Sequence, residues 1–322
     1  MPQDSPAVAA AWPARLHIVT GKGGTGKTTV AAALALALAA NGKRTLLVEV
    51  EGRQGIAQLF DTDPLPYAER VVAAVPGGGE VRALAVDAEE ALLEYLALFY
   101  KLGAAGRALG KIGAIDFATT IAPGLRDVLL TGKVKEATTR AVDGHRAYHA
   151  VVLDAPPTGR IGRFLNVTAE TARLAKVGPI KSQSDSVSAL LRSPITAVHV
   201  VTLLEEMPVQ ESIDAFAELT ALGIATGRLI INAGQQPLLQ DGVPTAAALR
   251  RGLVAAGLTA DAATVTALRD EAAAYRTRQG VEDALRIELA ALGRPTVELP
   301  LLTDGVDRAG LDQLAALLAA AR

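Results

Sequence analysis

A glycine-rich octapeptide near the N-terminus has the residue types and spacing of a phosphate-binding loop. Residues 21–28 read Gly-Lys-Gly-Gly-Thr-Gly-Lys-Thr. Glycines let the backbone curl so that successive N–H groups point at phosphate oxygens. In this pattern Lys27 reaches the β- and γ-phosphates, and the hydroxyl of Thr28 binds Mg²⁺. We therefore predict that the chain binds a nucleotide together with Mg²⁺. The residues predicted to hold the nucleotide here are Gly21, Gly23, Gly24, Thr25, Gly26, Lys27, Thr28 and Thr29.

The segments on either side of this loop agree with that interpretation. Residues 15–20 contain an apolar run that predicts a short strand, and residues 28–40 are rich in Ala and Leu and predict a helix. The N-terminus of this helix would face the anion, where the helix dipole and the free N–H groups favour negative charge.

A second lysine, Lys22, directly follows the first glycine of the loop. Because Lys27 already occupies that side of the anion, we expect Lys22 to reach across a dimer interface; the alternative is a solvated loop lysine. Residues 22–29 resemble the deviant Walker A loop of the family that contains the nitrogenase iron protein, the Min and Par positioning ATPases, and the arsenite-pump and guided-entry targeting ATPases. There the first lysine contacts the nucleotide of the facing subunit. The resemblance implies a catalytic role for Lys22 and Lys27 in a homodimer, or in a heterodimer with a paralogue.

A second part of the site is predicted at residues 151–159, which read Val-Val-Leu-Asp-Ala-Pro-Pro-Thr-Gly. Asp154 ends an apolar strand and therefore emerges at the edge of the sheet where ligands bind. A carboxylate there can hold Mg²⁺ through water, and the N–H of Gly159 can approach phosphate. The phrase Asp-x-x-Pro-Thr-Gly resembles switch II of the arsenite-pump and guided-entry ATPases, of which this chain is identified as a bacterial, anion-transporting-ATPase-like member.

The resemblance extends to the C-terminal half of the chain. Asn232 ends a predicted strand, and its counterpart in the family reads adenine through its amide. The loop 300–306, which begins at Pro300, resembles the segment that closes over the adenine. Residues 311–321 predict a terminal helix that packs on the core; it lacks the basic face that binding to anionic lipid requires.

Switch I departs from the family pattern. The family has Asp-Pro-Ala-His-Asn, whereas residues 51–55 read Glu-Gly-Arg-Gln-Gly. Glu51 keeps the acid that orients the attacking water but lengthens it by a methylene. A displacement of about 1 Å at a reacting centre can cost about 100-fold in rate, so we expect hydrolysis to be slow or to depend on a partner subunit. Arg53 either senses phosphate, reaches across the dimer or pairs with Glu51.

Composition excludes several functions. The chain has 322 residues, a net charge of −2 and no long basic run, which argues against nucleic acid as a partner. It has no cysteine, so it cannot build an iron–sulfur cluster, a Cys-x-x-Cys zinc clasp or a three-thiol arsenite site.

Membrane insertion is also unexpected. The apolar stretches 30–40 and 314–321 are shorter than the ~20 residues that a spanning helix needs. Residues 1–14 lack the basic start of a secretory signal, and we interpret them as a flexible extension. These features predict a cytoplasmic protein.

Strand-like and helix-like segments alternate along residues 15–322, and several strands are continuous Val/Ile/Leu runs. Such strands are buried on both faces, which predicts an α/β fold: a mostly parallel sheet with helices on both faces, as in P-loop NTPases. Two helix-like stretches, at about 88–139 and 160–193, predict an inserted helical lobe.

Together these features predict a dimeric Mg-ATP-dependent ATPase switch of the arsenite-pump/guided-entry type. ATP binding and hydrolysis would move the helical lobes on an unknown client, for which a hydrophobic protein is the hypothesis. The alternative is a nucleotide-binding, catalytically weak regulatory subunit that works with a paralogue whose switch I is intact. A positioning ATPase on membrane or nucleoid is a third reading.

Overall fold

The computed structural model describes residues 12–100, 123–167, 179–239 and 242–321. An eight-stranded sheet forms the centre of this part of the chain, in the order β10-β9-β8-β1-β7-β2-β4-β3. All neighbouring strands are parallel except β3 and β4. This confirms the predicted α/β fold. The strands are β1 (Leu16–Gly21), β2 (Arg44–Glu49), β3 (Arg70–Val75), β4 (Gly79–Ala85), β7 (Ala150–Asp154), β8 (Thr196–Thr202), β9 (Thr226–Gly234) and β10 (Thr296–Pro300), with a separate hairpin of β5 (Ala141–Val142) and β6 (His145–Arg146).

Helices cover both faces of the sheet. One face packs against α1 and α10, and the other against a larger group that includes α3, α4, α5, α6 and α7. The described helices are α1 (Lys27–Leu38), α2 (Gly55–Leu59), α3 (Ala88–Tyr100), α4 (Pro123–Thr139), α5 (Thr158–Leu165), α6 (Pro179–Leu191), α7 (Glu206–Ala221), α8 (Ala246–Ala255), α9 (Ala262–Ala290) and α10 (Arg308–Ala320). None of them is both long and apolar enough to cross a membrane.

The predicted lobe corresponds to helices wherever its residues are described. α3 and α4 occupy parts of the stretch 88–139, and α6 and most of α5 lie within 160–193. α4 packs against both α3 and α6, and all of them share one hydrophobic cluster with the sheet. The division of the chain into a core domain and a lobe stays a prediction. Residues 101–122 and 168–178 lie outside the described part.

Residue 12 packs against the core, although it lies within the stretch 1–14 that was predicted to be a flexible extension. Trp12 is buried, and its indole N–H donates to the carbonyl of Leu318 at 2.9 Å, while its ring meets His17 and His199 edge-on. The two histidines face each other at 3.1 Å between ring nitrogens. Burial lowers the pKa of His17 to about 4 and that of His199 well below its usual range, so both are neutral. The extension therefore cannot reach residue 14; residues 1–11 lie outside the described part.

The strand order creates a binding crevice at the carboxyl ends of the central strands. β1 lies between β8 and β7, and its next strand in sequence, β2, lies on the far side of β7. Connections therefore leave β1 and β8 in opposite directions, which opens a crevice at this edge of the sheet. The loops after β1, β2 and β7 all start at this edge.

Candidate nucleotide-binding site

The loop between β1 and α1 has the curled backbone of an anion cradle. Gly24 and Gly26 adopt left-handed φ values of 91° and 83°, which glycine reaches without the steric cost of a side chain. The backbone N–H and the hydroxyl of Thr25 both donate to the carbonyl of Lys22, at 3.2 and 2.9 Å, and close the turn. The N-terminus of α1 begins at Lys27 and faces this cradle.

Two contacts from the sheet hold the loop in place. The Asn232 side-chain amide donates to the carbonyl of Thr25 at 2.9 Å, and a Cβ at Gly26 would overlap that amide. The hydroxyl of Thr20 donates to the carbonyl of Pro156 at 2.7 Å, which ties the end of β1 to the loop after β7. Asn232 therefore has a structural contact in addition to the adenine contact predicted for it.

The two residues predicted to bind Mg²⁺ are in direct contact. The hydroxyl of Thr28 donates to Oδ2 of Asp154 at 2.7 Å, and Lys27 is buried beside them. Asp154 ends β7 next to β1, so the parallel register brings it to the phosphate loop.

The second oxygen of Asp154 tests whether these residues fit a cation. Oδ1 is buried and makes no hydrogen bond within the described part of the chain. Burial raises the pKa of Asp154 to about 6, although the Thr28 hydroxyl and the Lys27 charge oppose the shift. A buried carboxylate oxygen without a donor costs free energy unless a cation or proton meets it. The residues therefore fit Mg²⁺.

The donor set suits Mg²⁺ rather than a metal held by protein alone. Among the described residues, no three or more His, Cys, Asp or Glu side chains are arranged to hold a metal ion. Mg²⁺ is commonly bound by one or two carboxylates together with substrate phosphates and water. Thr28 and Asp154 provide such a partial set beside the cradle.

Glu51 lies beside the phosphate-binding lysine. Its carboxylate is 3.8 Å from Nζ of Lys27, 3.7 Å from Nε of Arg53 and 3.7 Å from a guanidinium nitrogen of Arg160. These distances bring the groups together electrostatically without direct hydrogen bonds. Three roles were predicted for Arg53, and in this structure it lies beside Glu51, as the pairing role requires. The Arg53 side chain is 70% exposed.

Glu49, which was not predicted from the sequence, organises the loop that was predicted as switch I. Its buried carboxylate accepts the backbone N–H of Gln54 at 2.6 Å and that of Ile56 at 3.2 Å. Gln54 has a left-handed φ of 56°, so this anchor supports an unfavourable backbone conformation. The signal was available, because Glu49 ends an apolar strand just as Asp154 does.

Lys22 contacts its own chain in this structure. Its ammonium group is 3.0 Å from Oε1 of Glu211 on α7. The other carboxylate oxygen of Glu211 accepts the hydroxyl of Thr158, the first residue of α5, at 2.8 Å. Lys22 is thus not a freely solvated loop lysine. Nothing in the local sequence marked Glu211, because it lies on a helix far along the chain.

The other predicted nucleotide residues lie at the same edge of the sheet. Pro300 ends β10 and pairs with Gly234 of β9, two residues beyond Asn232. Ala233, between them, has a left-handed φ of 55°. Gly159 is exposed in the first turn of α5, and a Cβ there would meet open space. Their contacts with a nucleotide stay predictions.

The fold and the site together define a P-loop NTPase: a parallel sheet with a curled glycine loop, its lysine and a Thr–Asp pair at the carboxyl edge. The anion-transporting ATPase family matches residues 14–192, more than half of the chain. The chain belongs to that family.

Relatives extend this similarity over most of the chain. ATPase BagA of Mycobacterium tuberculosis is 51% identical over 323 residues, which cover 96% of this chain and 95% of that protein. Arsenical pump-driving ATPases of Acidiphilium multivorum and Escherichia coli are 28% and 27% identical, each over 66% of this chain and 38% of the relative. The predicted family is therefore confirmed, whereas the likeness to the guided-entry branch stays a prediction.

Proposed function

We propose that this protein is a dimeric, Mg-ATP-dependent ATPase switch. The observation that carries the proposal is the contact of the half-buried Thr28 with the buried Asp154, whose oxygen Oδ1 has no donor among the described residues and lies next to an anion cradle. Membership of an ATPase family agrees with ATP as the nucleotide.

The proposed roles follow from position and charge. The loop amides and Lys27 bind the phosphates and stabilise the negative charge that develops on them. Thr28 and Asp154 would hold Mg²⁺, which would neutralise phosphate charge. Glu51, 3.8 Å from Lys27, orients the attacking water. Asn232 and Pro300 border the adenine, and Gly159 offers its N–H to phosphate.

We propose that the helices move because the switch II loop is directly connected to them. The loop after Asp154 leads into α5, and α5 packs against α4 and α7. A shift of Gly159 toward phosphate would therefore be felt by helices that cover the sheet. The client is proposed to be a hydrophobic protein; the pump-driving activity named for the relatives is not extended to this chain, because it has no cysteine for a three-thiol site.

Nucleotide binding is tested by unfolding measurements. Mg-ATP at about 100 times its Kd should stabilise the fold by ~2.7 kcal/mol. Lys27→Ala should remove most of this stabilisation, whereas Lys135→Ala on α4 makes the same change away from the cradle and should keep it. The proposal would be contradicted if Mg-ATP stabilised all three proteins equally, or if it did not stabilise the wild type.

A second candidate is a nucleotide-binding subunit with weak catalysis that works with a paralogue. It is favoured by the lengthened acid Glu51, which lies among Lys27, Arg53 and Arg160 at distances too long for hydrogen bonds. Steady-state phosphate release by wild type and Glu51→Gln separates the two. A measurable wild-type rate that falls in the variant supports the ATPase, and equal, negligible rates support the weak subunit.

A further inference from the structure

Glu211 joins two segments of the nucleotide site that are far apart in sequence. One of its carboxylate oxygens pairs with the ammonium of Lys22 at 3.0 Å, and the other accepts the hydroxyl of Thr158 at 2.8 Å. Lys22 belongs to the phosphate loop, and Thr158 begins α5 within the proposed switch II. Through Glu211, α7 therefore holds the phosphate loop and switch II together.

The pair is ionic and can be broken. Burial alone would raise the pKa of Glu211, but the hydrogen bonds from Lys22 and Thr158 outweigh it and lower the pKa. The carboxylate is therefore charged at neutral pH. The side chains of Lys22 and Glu211 are 30% and 32% exposed, so water screens their attraction, as in surface ion pairs of small net strength.

The backbone around Lys22 is fixed, whereas its ammonium is not. The carbonyl of Lys22 accepts two hydrogen bonds from Thr25, which hold the start of the loop. Thr25 is buried and in turn bonded by Asn232. A change of partner by Lys22 therefore needs only rotation of its side chain, without any movement of the cradle.

We propose that Glu211 is a positioning residue that holds Lys22 within its own subunit until the loaded subunits associate. This inference rests on the proposed function, in which the same ammonium reaches the nucleotide of the facing subunit. To reach into the facing subunit the ammonium must leave Glu211, so the ion pair with Glu211 competes with association. When switch II contacts phosphate, Thr158 moves and its hydrogen bond to Glu211 weakens. The ammonium of Lys22 is then released from Glu211 more easily.

The competition predicts a tighter dimer when Glu211 loses its charge. A screened ion pair shifts an equilibrium by up to about fivefold. A symmetric dimer breaks two such pairs, so Glu211→Gln should tighten association of the loaded protein by up to about 25-fold. Association is compared with every variant saturated with nucleotide, so that a change in nucleotide affinity does not enter the comparison.

The test measures the dimer dissociation constant of the full chain by sedimentation, with Mg²⁺ and a non-hydrolysable ATP analogue. Glu206→Gln removes the same charge from the same helix and should leave association as in wild type. Lys22→Gln should weaken association, and Lys22→Gln combined with Glu211→Gln should behave like Lys22→Gln alone. Thermal unfolding of each variant checks that it is folded.

Two results separate failure of this inference from failure of the proposed function. If Lys22→Gln weakens association but Glu211→Gln leaves it unchanged, the restraining role of Glu211 is refuted and the crossing lysine stands. If neither substitution changes association, or no dimer forms in the loaded state, both ideas are overturned. A Glu211→Gln dimer that stays tight when Lys22 is also replaced would refute the competition as well.

Discussion

Replacing Asp154 by asparagine is expected to stabilise the metal-free protein while abolishing its response to Mg-ATP. In the wild type, Asp154 is 6% exposed, and its Oδ1 has no donor among the described residues. Asparagine keeps an oxygen that can accept the Thr28 hydroxyl and removes the buried charge. The same change deletes the carboxylate proposed to hold Mg²⁺, so stability and binding should move in opposite directions.

The magnitude follows from the pKa of Asp154, which burial raises from 3.8 to about 6. The folded state then binds the proton more tightly than the unfolded state, so ionisation destabilises the fold. A shift of about two units corresponds to ~3 kcal/mol. This penalty is absent at pH values well below 3.8, grows as the pH rises, and is complete above the folded pKa of about 6. The variant should gain ~3 kcal/mol over wild type at pH 8 and roughly half of that at pH 5.

Urea unfolding of wild type and Asp154→Asn between pH 5 and pH 8, in EDTA, measures this difference. Subtracting the two curves cancels the titration of all other groups. Asp270→Asn, an exposed aspartate on α9, is the matched control and should show no pH-dependent difference. A difference that is the same at pH 5 and pH 8, or a variant less stable than wild type at pH 8, would refute the argument from the buried charge.

Three further substitutions test the supports of the site and of the chain start. Glu49→Ala should destabilise the fold by about 3–6 kcal/mol, since it removes two hydrogen bonds to a charged acceptor, and trypsin should then cut after Arg53, in the loop predicted as switch I, faster than in wild type. Gly26→Ala forces a side chain into a left-handed φ of 83° against the Asn232 amide, and calorimetry should find nucleotide binding at least tenfold weaker, with unchanged binding contradicting the cradle geometry. Trp12→Ala should lower the free energy of unfolding, measured in urea, by about 3–5 kcal/mol. A loss below 1 kcal/mol would indicate that residue 12 belongs to the flexible extension after all.

Local sequence patterns predicted most of the sheet but missed its antiparallel edge. The strand β3 (Arg70–Val75) and its partner β4 are joined by a turn at residues 76–78, which read Pro-Gly-Gly. This turn sequence is typical of a hairpin, but the hairpin was not predicted, because strands and helices were expected to alternate. The 29-residue helix α9 was also overlooked. Only a few of its residues are buried, so the apolar pattern that would reveal a helix is weak.

Predictions for the site depended on how close the partners are in sequence. The glycine loop with Lys27 and Thr28 was identified in full, because eight consecutive residues contain its chemistry. Asp154 was identified because parallel strands end at one edge, which is a rule of topology. Glu49 obeys the same rule but was not considered. The contacts of Glu51 with Arg160, and of Lys22 with Glu211, had no signal of this kind.

The sequence by itself determined that a triphosphate cradle lies between a buried strand and a helix in a mostly parallel sheet. Both properties come from short-range patterns: glycine spacing sets the loop, and continuous apolar runs set strands covered on both faces. The tertiary structure alone decided which carboxylate Lys22 meets, that one oxygen of Asp154 has no donor within the described part of the chain, and that Trp12 packs on the terminal helix. These contacts join segments far apart in the chain, and their geometry depends on how the helices pack around the finished sheet.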